Sequence, residues 1–139
     1  MFHQKIVVLN NQDGVNSSDG FTCKMRTPFN NIKRVELCAV RVSAFNTLVT
    51  TEQYVFVDVQ PFSAASGDEN VDASFVVPVL LDSNNQLVYN EKANFRQTKV
   101  IETENYSTQS FKVRFFTGAG LLDVSAKYVT VMLRITYEN

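Results

Sequence analysis

An all-β sandwich of antiparallel strands is the fold class this sequence predicts, and three observations predict it. Apolar residues recur at every second position in run after run, the pattern of a strand with one face on a core. Helical periodicity is nearly absent. Clusters of Gly, Asn, Asp and Ser separate the runs, and these residues tolerate the left-handed backbone of tight turns.

The elements follow in order. Lys5 to Leu9 opens the chain as a short strand. In the next run Phe21, Cys23 and Met25 alternate with Thr22, Lys24 and Arg26. Ile32 to Phe45 is longer and changes phase, because Val35, Leu37 and Ala39 give way to Val40 and Val42 as the apolar set. A bulge near Ala39 would do this, turning the later side chains to the other face and bending the strand. Val55, Val57 and Val59 then alternate with Phe56, Asp58 and Gln60. Ala73 to Leu81, Gln86 to Tyr89 and Thr98 to Glu102 are further runs. Phe111, Val113 and Phe115 alternate with Lys112 and Arg114. The clearest pattern is the last, where Val129, Val131, Leu133, Ile135 and Tyr137 alternate with Thr130, Met132, Arg134 and Thr136.

Turn chemistry falls at Asn10 to Gly14, Ser17 to Gly20, Ser66-Gly67-Asp68, Asp82 to Asn85 and Gly118-Ala119-Gly120. Pro61 and Pro78 border or interrupt strand runs, and Pro78 is expected at an edge or a bend, where its missing N–H deprives no partner. There is no internal repeat or linker, so residues 1–139 read as one domain. About nine runs at this spacing suit an eight-stranded single jelly roll.

Composition narrows the function. Hydrophobic residues make up 45% of the 139 and charged ones 19%, an ordinary globular balance, and no apolar stretch of about 18 residues could span a membrane as a helix. The net charge of −1 argues against a sequence-blind grip on nucleic acid, which depends on clustered cations displacing counterions from phosphates. Lys24, Arg26, Lys33 and Arg34 read as a solvated face. The start, Met1-Phe2-His3-Gln4-Lys5 before Ile6-Val7-Val8-Leu9, is too short for a secretory signal. Cys23 and Cys38 read as buried free thiols in a reducing compartment, where the Asn-x-Ser sequons at Asn16 and Asn105 would carry no sugar.

No catalytic set emerges. The sole histidine, His3, is expected near a mobile terminus, which leaves no convincing Ser-His or Cys-His dyad. A zinc site from His3, Cys23 and Cys38 would lack a fourth ligand and paired short spacing. Asp58 is the carboxylate to weigh for acid–base work, but its phase points it outward with Phe56 and Gln60, as a solvated or interface group. Glycoside hydrolysis would also want aromatic platforms, and the chain has no Trp. Asp68-Glu69-Asn70-Val71-Asp72 starts like a calcium loop, yet Ala73 replaces the turn glycine and Val79 the closing carboxylate. Gly118-Ala119-Gly120 is followed by too little helix to cradle a phosphate. The expectation is a protein that is not an enzyme, with no catalytic residue, cofactor or metal.

Four stretches carry a resemblance: Val8-Leu9-Asn10; Ser17-Ser18-Asp19-Gly20-Phe21-Thr22; Pro28-Phe29-Asn30-Asn31-Ile32-Lys33-Arg34-Val35-Glu36-Leu37; and Tyr54-Val55-Phe56-Val57-Asp58-Val59. Together they resemble the opening of small single-jelly-roll penton (vertex) or minor capsid proteins of icosahedral DNA viruses with double-jelly-roll major capsid proteins. In that family an Asn-rich turn follows the first strand, a Ser-Ser-Asp-Phe segment begins the next, and an Ile-x-x-Val-Glu-Leu strand follows. The resemblance covers about the first 60 residues. After Val42 the chain departs from it: Ser43-Ala44-Phe45-Asn46-Thr47-Leu48 stands where the family often has a Pro-Asn-Thr-x-Tyr turn. The subfamily therefore stays open.

The resemblance implies a capsid structural protein of the virion, assembled in the host cytoplasm or nucleus. Its implied partners are copies of itself, as a homopentamer, and neighbouring capsid proteins, close to an internal membrane without being embedded in it. A ring requires the same heterologous contact repeated about an axis. Apolar residues on outward phases are the candidate interface, namely Tyr54 and Phe56, in phase with Asp58, and Met132, in phase with Thr130 and Arg134. A minor cement protein and a carbohydrate-binding or adhesin-like sandwich are the alternatives. Missing Trp and the broken calcium loop weigh against sugar binding, and a single His against a cupin-type enzyme.

Overall fold

A computed structural model describes residues 1–48, 51–62, 73–94, 96–100 and 107–138. These form eleven strands: β1 (Phe2–Asn10), β2 (Val15–Ser17), β3 (Gly20–Phe29), β4 (Ile32–Val42), β5 (Tyr54–Gln60), β6 (Phe75–Pro78), β7 (Leu87–Asn90), β8 (Gln97–Val100), β9 (Thr108–Thr117), β10 (Gly120–Leu122) and β11 (Val129–Glu138). A single 3-10 turn, Phe45–Thr47, follows β4. Sheet A runs β1-β11-β4-β7 with β8 also on β4, and sheet B runs β2-β3-β9-β5-β6 with β10 on β9.

Every pairing is antiparallel, and the partners nest: β1 with β11, β3 with β9, β4 with β7, β5 with β6. A long hairpin rolled over itself gives this nesting, the connectivity of a jelly roll. These eight strands match the expectation, and the four-residue β8 on β4 is a further one. The three-residue β2 and β10 are additions where the sequence predicted only turns, each pairing back on the strand beside its turn.

Inward side chains of the two sheets interleave as one core. Sheet A contributes Val7, Leu9, Val35, Leu37, Val131, Leu133 and Ile135, and sheet B Phe21, Val57, Val59, Phe75, Phe111, Val113 and Phe115. Phe111 meets Phe29 edge-on at 6.1 Å between centroids and Phe62 at 5.8 Å. Such pairs add to the area they bury.

The predicted bulge is present. Met132 pairs with Ala39 but Leu133 with Leu37, so Cys38 has no counterpart and the apolar phase switches there. The strand then stops at Val42, short of the predicted Phe45, because Ala44 takes a left-handed backbone (φ 46°) and the chain turns into the 3-10 segment. Pro78 lies on β6, the edge strand of sheet B, as its missing N–H requires. Gly20, with φ 130°, opens β3 so close to β9 that a Cβ would sit 2.4 Å from the Val113 carbonyl oxygen.

Asn11 locks the end where β1 leaves the sheet. Its side chain donates to the Lys127 carbonyl at 2.6 Å and accepts from Val129 N–H at 3.2 Å. Lys127 reaches on to Thr47 Oγ1 at 2.5 Å, and Phe45 N–H donates to the Asn85 carbonyl at 2.9 Å. Four connections are thereby gathered at one end. His3 is not loose, as its position suggested, but paired opposite Tyr137 in β1, ring centroids 5.6 Å apart.

Candidate functional site

The candidate surface is built by register. On sheet B, Leu121 pairs with Phe116, Phe116 with Phe56, and Phe56 with Val76. Registered partners share a face, and their neighbours Phe115, Val57 and Phe75 fill the core, so these four point outward as one apolar row across β10, β9, β5 and β6. At the usual strand spacing the row is about 14 Å long. Tyr54, 52% exposed, lies beside it, paired with Pro78. Leu121 is 44% exposed, while Phe56, Phe116 and Val76 are half-buried.

The neighbouring rank is polar. Asp58 lies in register opposite Arg114, whose Nη2 and Nε donate to Oδ2 at 2.7 and 3.0 Å. The same guanidinium rests over the Phe116 ring, 4.9 Å from its centroid. Asp58 does point outward, as its phase predicts, but it is fully buried and ion-paired, not solvated. Alternation gives a side chain its direction; only the partner strand decides what covers it. Farther along, Lys112 pairs with Asp19 at 3.2 Å, and the Ser17 hydroxyl, with Lys112 adding to it, holds the Asp19 carboxyl below its ordinary pKa.

Sheet A presents a different exterior. One rank runs Val8, Met132, Ala39, Asn90, and the next Ile6, Arg134, Glu36, Thr98. Arg134 donates to Glu36 at 3.1 Å and to Glu91 at 2.9 Å, with Arg96 3.9 Å from Glu36. Arg134 holds the Glu91 carboxyl low, and Glu91 in turn raises the guanidinium pKa. Ile6 and Val8 are about half exposed beside Met132, and Arg34 and Arg41 are exposed near opposite ends of β4.

The structure therefore brings Tyr54 and Phe56 together and puts Met132 on the opposite face of the sandwich. Phe116, Leu121 and Val76 escaped the sequence reading. Phe116 had a signal, since it shares the phase of Lys112 and Arg114; Leu121 sits in a turn-like segment with none.

Cys23 and Cys38 are free and buried on different sheets, and burial raises both thiol pKa values. Lys24 and Arg26 are exposed, as a solvated face requires. Asn16 is exposed in β2 and donates to the Ser125 carbonyl at 2.9 Å. The Asp68 to Asp72 segment, the Ser66-Gly67-Asp68 turn, the Asn105 sequon and the end of the Thr98 to Glu102 run lie outside the described residues. Among the described residues no group of three or more His, Cys, Asp and Glu side chains could hold a metal ion.

No protein-family model matches the chain, and no curated protein sequence matches it. Among solved structures it is similar to the acid-stable capsid of Helicobacter pylori bacteriophage KHP30, at 12% identity and a TM-score of 0.29, covering 99% of this chain and 92% of that one. It is also similar to the infectious bursal disease virus VP2 subviral particle, at 8% identity, a TM-score of 0.36, and 97% and 33% coverage. The Gx strain of the same virus follows at 10%, 0.34, and 97% and 32%. The chain thus spans about a third of each infectious bursal disease virus chain.

Proposed function

We propose that this protein is a virion structural subunit, a capsid protein that assembles through the outer faces of its jelly roll, and that its place is the vertex, as a homopentamer. The observation that carries the reading is the outward apolar row Leu121–Phe116–Phe56–Val76 with Tyr54 beside it. An apolar row of this extent on a sheet exterior marks a surface to be covered. Two aromatic rings within the row and a third beside it supply the anchors that dominate protein interfaces.

The second patch, Met132 with Val8 and Ile6, lies on the other sheet. Two unlike patches on opposite faces favour a heterologous contact, the row of one copy against the Met132 patch of the next. Repeated with a closing rotation, that contact makes a ring. The family resemblance of the first strands supports the same reading.

Size-exclusion chromatography with light scattering tests it. The unaltered chain should run as a pentamer, and Phe56→Ser should shift it toward monomer while lowering stability by only about 1 kcal/mol. A monomer that binds glycans, or a Phe56→Ser variant that loses fold and assembly in equal measure, would overturn it.

A further inference from the structure

The two lateral sides of the sandwich are finished differently. On one side Gln97 of β8, in sheet A, reaches across to the edge strand of sheet B, where its side-chain amide donates to the Val76 carbonyl and accepts from Val76 N–H at 2.8 Å. Both backbone groups of Val76 are occupied, and β6 itself is short and ends in Pro78. These are ordinary protections of an edge.

The other side is open. β1 forms the margin of sheet A over nine residues, and among the described residues no strand pairs with its second edge. Facing it across the seam, β3 loses β2 after Thr22 and leaves the β9 register between Lys24 and Phe29. On the β9 side the Gln109 amide replaces the missing ladder, donating to the Met25 and Arg26 carbonyls at 2.9 and 3.2 Å.

Between the two edges lies a groove of about 250 Å³, walled by Lys5 to Val8 on one side and by Met25, Arg26, Thr27 and Phe29 on the other. Among the described residues that line it the charged ones are Lys5 and Arg26, and none is a carboxylate. Lys5 holds its ammonium 6.0 Å from the Phe29 ring centroid, at the rim.

We infer that this seam accepts an extended acidic segment of another polypeptide, which pairs with the open edge of β1 and sets carboxylates against Lys5 and Arg26. Unpaired strand edges are templates for strand addition, with main-chain bonds giving affinity and side-chain pockets giving selectivity. Alternation places every second side chain of the added strand toward the groove, where its carboxylates face Lys5 and Arg26. The seam lies apart from the apolar row of sheet B, though Ile6 and Val8 at its wall also belong to the Met132 patch, and the inference rests on the unpaired edge of β1 and not on the assembly reading.

The probes are two end-blocked eight-residue peptides, one alternating Glu with Val and the other Lys with Val. Binding is followed by amide hydrogen exchange of the full chain. The acidic peptide should slow exchange at β1 amides at least tenfold, and the basic one should not. The double variant Lys5→Glu/Arg26→Glu should reverse the preference, while Phe56→Ser should leave it unchanged. Equal binding of both peptides, protection elsewhere than β1, or a preference unmoved by the charge reversal would each overturn the inference. If the double variant does not fold, adding salt to the unaltered chain makes the same distinction. Acidic-peptide binding should weaken at least fivefold between 0.05 and 0.5 M salt, and salt-insensitive binding would refute the charge selection.

Discussion

The exteriors of sheets A and B share one device and differ in what surrounds it. In each, an arginine on the strand that bridges its neighbours faces a buried carboxylate in direct register: Arg134 opposite Glu36 between β11 and β4, Arg114 opposite Asp58 between β9 and β5. Each pair pins the register of adjoining central strands, because a one-residue slip would carry the arginine to the other face. Around Arg134 the rank is charged, with Glu91 and Arg96 adding partners. Arg114 lies between the apolar row on one side and polar Lys112 opposite Gln60 on the other, and its guanidinium rests on Phe116. An ion pair therefore does not make a surface polar; on sheet B it borders the apolar row directly.

The largest effect should come from crossing that boundary by one residue. Phe115 is fully buried and Phe116, next to it, faces out. Phe115→Ala should cost about 3–5 kcal/mol in denaturant unfolding, whereas Phe116→Ala should cost about 1 and reduce assembly instead. Similar losses for both would erase the distinction between inner and outer faces.

Next come the paired arginines. Arg114→Met and Arg134→Met should each destabilise by about 3 kcal/mol, because each removes a guanidinium hydrogen-bonded to a buried carboxylate. Combining Arg114→Met with Asp58→Leu should recover more than half of the loss, since an apolar pair of similar volume removes the buried charge. No recovery would mean that the ion pair contributes beyond compensating its own burial.

The smallest effect is a pH dependence at Glu91, beside sheet A. Arg134 lowers the Glu91 pKa, so the stabilisation is fully present above the ordinary Glu pKa of about 4.3 and is lost as pH falls through the lower, folded value. Unfolding followed from pH 7 to pH 3 should show Glu91→Gln less stable than the unaltered chain at neutrality, with the gap closing below about pH 4.3. A gap independent of pH would remove Glu91 from the network.

Much of this was legible beforehand. The alternation of Val129 to Tyr137 and of Val55 to Val59 assigned their inner and outer faces correctly, and the phase switch after Leu37 located a bulge to within one residue. The outward direction of Tyr54, Phe56 and Asp58 followed from the same period. The burial of Asp58 did not, because Arg114, which lies against it, is 56 residues away in sequence. Nor could the row be assembled, since Leu121, Phe116, Phe56 and Val76 become neighbours only through three separate pairings.

The sequence by itself determined the class of fold, the strand faces and the composition of the core, because those depend on a period of two and on local turn chemistry. Tertiary structure alone decided which outward residues lie side by side, which charges are covered, and which sheet edge is left unpaired among the described residues. Those properties arise from register between strands distant in the chain, and no local pattern encodes a partner.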